Sequence, residues 1–192
     1  MKIPYVPNPP ETTTDEDAAI VSRIQARRAP RDLIPLDLAL LHSPPVADGW
    51  NSFLGAVRTR TTIGADLREL AISRVAVCNR AWFEWAHHAP LAADAGVSPA
   101  ALDVVKMDAL PAERPAELLS EEQWAVLLYA EEMTRKVEVS EETFALVKGR
   151  FNDREVVEIT ATVAAYNCVS RFLVALNVGE KNGTGPDDVV AH

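Results

Sequence analysis

The stretch "ADLRELAISRVAVCNR", residues 65–80, constrains the fold more than any other. Leu67, Leu70, Ala71, Ile72, Val75, Ala76, Val77 and Cys78 are apolar nearly all the way round a helix. Such a helix sits at the centre of a protein rather than on its surface. The segments that must surround it also read as helices. Thr14 or Asp15 caps a first one, with Ile20 and Ile24 on one face. Pro30 and Pro35 bracket a turn, and "LDLALLHS" is a short apolar helix ended by Pro44-Pro45. "VADGWNSFLGAVRTR" places Val46, Trp50, Phe53, Leu54 and Val57 at helical spacing. Residues 81–95 form a helix stopped by Gly96. Ser98 and Pro99 open the next, Ser120 and Gln123 form a capping box, and Ser140 caps another. Residues 153–178 make a long final helix, whose β-branched residues lower helix propensity without imposing a period of two. The predicted fold class is all-α.

Three stretches are expected. Residues 1–45 hold an N-terminal arm and a helical extension, 46–179 the core, and 180–192 a tail rich in Gly, Pro and Asp. The Pro/Thr-rich residues 1–14 read as an extended arm, either disordered or laid along a neighbouring surface.

The chain carries 28 acidic against 19 basic residues, a net charge of −9. That argues against a broad phosphate-binding surface, so nucleic acid is not an expected partner. A single pocket can still be positive in an acidic protein and take an anionic small molecule. No uninterrupted apolar run approaches the ~20 residues that span a bilayer, and the N-terminus lacks the apolar core of a signal peptide. Cys78 and Cys168 are far apart in sequence, and a chain of this size needs no disulfide staple. The expectation is a cytoplasmic protein with free thiols and no membrane partner.

"EWAHHAP", residues 84–90, is the polar feature of the core. Glu84 lies three residues before His87 and four before His88, so both rings can approach one carboxylate. A carboxylate beside an imidazole orients it and makes an acid–base pair suited to neutral pH. The alternative is an exposed pair worth a few tenths of a kcal/mol, but Trp82, Phe83 and Trp85 on the same turns point to burial. Glu69 is the second unusual residue, set among Leu67, Leu70 and Ile72. Either Arg68 and Arg74 neutralise it, or it joins Ser73, Ala76 and Arg80 in a narrow polar strip. Two antiparallel helices, one with Glu69 and one with Glu84 and His88, can enclose a small polar pocket. Glu84-x-x-His87 lacks the second such segment that a di-iron carboxylate bundle needs, since neither His42 nor His192 follows a glutamate at that spacing. No clustered Cys/His set is present, so no metal is expected, a mononuclear site on Glu69, Glu84 and His88 being the minor alternative. The final helix offers Tyr166, Asn167 and Arg171, the last able to hold a carboxylate bidentately.

The segment "LRELAISRVAVCNRAWFEWAHHAPLAADAGVS" resembles the carboxymuconolactone decarboxylase family of the alkyl hydroperoxidase D-like superfamily. It carries the family's "RELAI-x-RVA" helix, its "E-W-x-x-H" helix and its "P-L-A-x-x-A-G-V-S" exit. The resemblance implies an AhpD-like helical bundle forming a homo-oligomer, a trimer or hexamer with a dimer also compatible, and a pocket near a subunit interface. In the peroxidase branch a glutamate stands twelve residues before the first cysteine of a Cys-x-x-Cys-x-x-x-His motif. Those positions fall here on Glu69, Ala81, Glu84 and His88, so both redox cysteines are missing and thiol peroxidase chemistry is not expected. The decarboxylase branch implies cofactor-independent loss of carbon dioxide from a small unsaturated lactone acid. His88 would be the proton donor, oriented by Glu84, with Glu69 tuning or relaying the proton and His87 assisting. Arg80, Arg171 and Trp85 are the substrate-binding candidates. A like-charge pair of Glu69 and Glu84 would push one carboxyl upward in pKa. The N-terminal residues, beyond the length of the small decarboxylases, either cover the pocket or exchange contacts between subunits. Another proton-transfer reaction on a related acid, or a non-catalytic binding or assembly role, are the competing readings.

Overall fold

The computed structural model describes residues 1–188; the end of the tail, His192 included, lies outside the described residues. The chain runs α1 (Asp15–Arg28), α2 (Pro35–Leu40), α3 (Pro44–Thr59), α4 (Ala65–Cys78), α5 (Trp82–Asp94), α6 (Pro99–Lys106), α7 (Glu121–Lys136), α8 (Glu141–Lys148) and α9 (Asp153–Leu176). A single 3₁₀ turn, Val178–Glu180, follows. There is no strand among the described residues, and the all-α expectation holds.

As its sequence dictates, α4 is the axis. Leu70, Ile72, Val75 and Ala76 are completely buried. Ile72 and Val75 pack with Val126 and Ala130 of α7 and with Ile159 and Val163 of α9. On the other side Leu70 and Ala76 meet Trp85 and Ala92 of α5 and Val105 of α6. Each large apolar side chain so buried contributes roughly 1.5–3 kcal/mol. Arg74, also fully buried, does not turn to Glu69. Its guanidinium donates to Glu131 (Nε, 2.6 Å) and to the carbonyls of Val105 (2.7 Å) and Met107 (2.5 Å), tying α4 to α7 and to the loop after α6.

Three boundaries differ from the sequence reading. Pro44 and Pro45 open α3, because proline at a first helical turn gives up no hydrogen bond, while α2 stops at Leu40. The last helix ends at Leu176, where Asn177 takes the left-handed conformation (φ 53°). Gly179 (φ 73°) lies in the 3₁₀ turn beyond the helix. It is needed because a Cβ there would overlap the Phe83 ring. The 24-residue α9 is long and apolar enough, by length and composition alone, to cross a bilayer. Here it is a core helix, with Ile159, Val163, Tyr166, Val169 and Leu173 buried against its neighbours.

The N-terminal arm lies along the core. Lys2 N donates to the Leu176 carbonyl (2.8 Å), and Gly179 N donates to the Tyr5 hydroxyl (2.8 Å). Ile20, Val21 and Ile24 of α1 form a separate apolar cluster with Leu33, Leu40 and Ala47, so α1 and α2 are packed down onto α3.

Candidate active site

Between α4 and α5 the chain reverses at Arg80, whose φ of 53° is left-handed. The reversal lays α5 back along α4 and brings His88 over Glu69, with the imidazole Nδ1 2.7 Å from the carboxylate Oε2. Glu69, Glu84 and His88 are 4%, 2% and 7% exposed. The pairing differs from the one expected: His88 is held by Glu69 across two helices, not by Glu84 along its own. Glu84 instead accepts from the Ser170 hydroxyl of α9, which is 3.0 Å from both its oxygens. His87 Nδ1 donates to the Phe83 carbonyl (2.7 Å), and its ring lies against the Phe83 ring with centroids 4.4 Å apart.

These surroundings set the protonation states. Burial pushes the Glu84 carboxyl well above the ordinary carboxylate value, and the Ser170 hydrogen bond offsets only part of that. The cause is desolvation, not the like-charge repulsion from Glu69 that the spacing suggested. Burial acts on Glu69 in the same direction, but His88, Arg68 and Arg58 together hold it below its ordinary value. Arg68 is within 3.3 Å of it, so of the two arginines considered for Glu69 it is this one that reaches it. Burial lowers the His88 pKa more than Glu69 raises it. An ionised Glu69 can only accept, so the His88 proton resides on Nδ1 and Nε2 carries the lone pair. Tyr166, edge-on to His88 at 4.9 Å between centroids, is kept neutral by burial.

A cavity of about 360 Å³ opens onto Glu84, His87, His88 and Tyr166. Its walls are apolar, from Leu36, Leu40, Trp50, Leu54, Phe83 and Leu173, and four arginines border it: Arg27, Arg28, Arg31 and Arg58. The expected substrate-binding residues are elsewhere. Arg80 is exposed at the helix reversal. Trp85 faces the α6 side of α5, where its indole N–H donates to the Pro186 carbonyl (3.1 Å). Arg171 bonds Asn167 one turn back and faces a different depression with Cys168. Neither cysteine borders the cavity, and Cys78 is held as a thiol by burial. Among the described residues no group of three or more His, Cys, Asp or Glu could hold a metal ion.

What the sequence reading missed is the cationic border and its support. Asp37, 2% exposed, accepts from Arg28 Nε (2.7 Å) and Nη2 (2.9 Å) and from the Ile34 amide (3.0 Å), with Arg27 at 3.6 Å. An acid inside the apolar run "LDLALL" was the available signal.

An all-helical bundle whose two central antiparallel helices carry a buried carboxylate–imidazole pair is an AhpD-like architecture. The carboxymuconolactone decarboxylase family model matches residues 44–127. Three solved structures share the fold. An uncharacterised peroxidase-related protein from Silicibacter sp. TM1040 superposes with a TM-score of 0.69 at 17% identity, over 94% of this chain and 95% of that one. A protein of unknown function from Agrobacterium tumefaciens, linked by name to AhpD and antioxidant defence, gives 0.62 at 20% identity over 71% and 90%. The debrominase Bmp8, in complex with 2,3,4-tribromopyrrole, gives 0.63 at 14% identity over 86% and 88%. No curated protein matches the chain. The chain is thus similar to carboxymuconolactone decarboxylase family proteins over residues 44–127 and shares the AhpD-like fold.

Proposed function

We propose that this protein is an acid–base enzyme that needs no cofactor and decarboxylates a small unsaturated lactone acid or oxo-acid. The observation that carries the reading is one cavity bordered by two groups whose surroundings drive them apart: a glutamic acid whose pKa burial raises and an imidazole whose pKa burial lowers. That divergence is how protein sites assign an acid and a base at neutral pH. Glu84 is the proton donor in this reading, and His88, oriented by Glu69, is the base. The donor's role thus moves from His88 to Glu84.

In the reaction, the bond between the substrate carboxyl carbon and its neighbour breaks. The electron pair left behind spreads into the adjoining unsaturated carbonyl, carbon dioxide leaves, and Glu84 gives its proton to carbon. Solvent then restores the Glu84 proton. Apolar walls favour the step by withdrawing the carboxylate from water. His87, fixed by the Phe83 carbonyl, assists at the same wall. A related proton shift, such as isomerisation, is the second reading, because decarboxylation needs only a donor whereas this cavity also has a base.

Carbon dioxide release from 4-carboxymuconolactone by the purified protein tests the first reading, with Glu84→Gln and His88→Ala alongside. Release by the parent and its loss in Glu84→Gln support it. No release, with deuterium from heavy water entering a recovered lactone acid, would replace it by the second. We also read the chain as a homo-oligomer, a reading supported by the exposed Val46 and Phe53 of α3 and Val157 of α9. Light scattering in solution measures the assembly directly.

A further inference from the structure

We propose that the N-terminal extension and α3 together build a carboxylate-binding subsite, with Arg58 as the residue that engages the anion and Arg27 and Arg31 at the cavity rim. This deepens the acid–base reading of the same site and rests on it for which end of the ligand reacts. Three observations carry it.

The first is a local inversion of charge. A chain with a net charge of −9 borders one cavity with four arginines, and among the residues bordering it Asp37 and Glu84 are the acids. Asp37 is taken up by Arg28, with Arg27 at 3.6 Å, and the four guanidiniums outnumber the two acids whatever the state of Glu84, so the cavity remains positive. The second is the state of Arg58. It is half-buried, borders both the acid–base cavity and the neighbouring cleft that reaches Glu69, and forms no ion pair or hydrogen bond among the described residues. Glu69 feels its charge, but no carboxylate hydrogen-bonds its guanidinium among the described residues, and an incoming carboxylate can take that place with a bidentate fit. The third is location. Arg27, Arg28, Arg31 and Asp37 precede residues 44–127, so this border lies outside the region that the family model matches. The apolar walls opposite then fit the ring or unsaturated body of a small acid rather than a second charged group.

The test is calorimetric titration with benzoate and with its neutral isostere benzamide. At low salt the parent binds benzoate at least about tenfold more tightly than benzamide, the discrimination that one charge-assisted contact supplies. Rising salt narrows the gap. Arg58→Gln abolishes the preference and Arg58→Lys restores part of it, because lysine keeps the charge but not the fork. His88→Ala and Glu84→Gln keep the preference. Equal affinities in the parent, binding of neither ligand, or full preference in a folded Arg58→Gln protein would each overturn the subsite. The comparison of the two ligands on the parent decides the matter even if the Arg58 variants do not fold. A charge preference with no turnover of any lactone acid would reject the acid–base reading alone. Turnover without a charge preference would reject the subsite alone.

Discussion

His88 Nδ1 lies 2.7 Å from Glu69 Oε2, a contact between residues nineteen apart on two antiparallel helices. It fixes the imidazole tautomer and leaves Nε2 as the basic nitrogen. It also separates the roles of two glutamates that the sequence alone presents as equivalent.

A proton shift that uses both groups should follow a bell-shaped pH profile, whereas decarboxylation by the donor alone should show only the alkaline limb. Protonating His88 removes the base, so the acid limb falls below the ordinary imidazole value of 6.5, displaced downward by burial. The alkaline limb marks ionisation of Glu84, well above the ordinary carboxylate value of 4.5. Steady-state kcat/KM against pH measures both limbs, and an alkaline limb unchanged in a still-active Glu84→Gln protein would remove Glu84 as the acid.

Replacing Glu69 by Gln should lower kcat by about 10²-fold, the low end of the range for a positioned acid–base group. It should also move the acid limb further down. Glu69 raises the His88 pKa against burial, so its loss leaves burial unopposed. A limb that stays in place would show that Glu69 acts only as a structural partner.

Stability should carry the opposite signature at Glu84. Its folded pKa is raised, so below about 4.5 both folded and unfolded chains hold the proton and burial of the acid has no pH-linked cost. As pH rises through and above that value the unfolded chain ionises first, and stability falls until the folded pKa is passed. Glu84→Gln removes the effect. At pH 7–8 it should raise Tm by about 2–4 °C, the shift that about 1 kcal/mol produces in a chain of this size. At pH 4 the gain should vanish; a gain independent of pH would contradict the protonation argument.

Gly179→Ala should cost about 1–3 kcal/mol, since the new methyl meets the Phe83 ring and the backbone there is left-handed. Phe83 lies against His87, so the aromatic and imidazole proton resonances of the pocket should move with it. Denaturant unfolding and NMR check the two parts separately.

Arg80→Gln and Arg171→Gln should leave activity within about twofold and stability within about 0.5 kcal/mol, as for substitutions away from a built site. A large loss at either position would require a substrate path outside the arginine-bordered cavity.

The axis of the fold was legible because a helix apolar on every side has only one place to go. The caps at Thr14, Ser98, Ser120, Ser140 and Asn152 use side chains whose hydrogen bonds are local, and the first four were readable from sequence alone. Glu69, Glu84 and His88 stood out as polar residues in apolar surroundings, and the structure gathers all three at or beside one cavity. Their pairing was not legible. An i, i+4 spacing makes Glu84 and His88 neighbours on a helix, but it does not reveal that Ser170 of α9 will take the carboxylate first. The arginines were missed for a related reason. Arg27 and Arg28 look like ordinary helix-end cations, and only the fold shows that α1 ends above the cavity.

Asp37 gives that border a further property. It accepts three hydrogen bonds from Arg28 and the Ile34 amide while almost wholly shielded from water. An arginine side chain gives up about 2 kcal/mol of rotamer entropy when frozen. Arg28 has already lost that freedom on folding, in the empty protein, and with it the loop between α1 and α2 is stiffened. Ligand capture then begins from a rigid rim, so the thermodynamics of association should show little ordering of the protein and a rate governed by diffusion and charge rather than by closure of a lid.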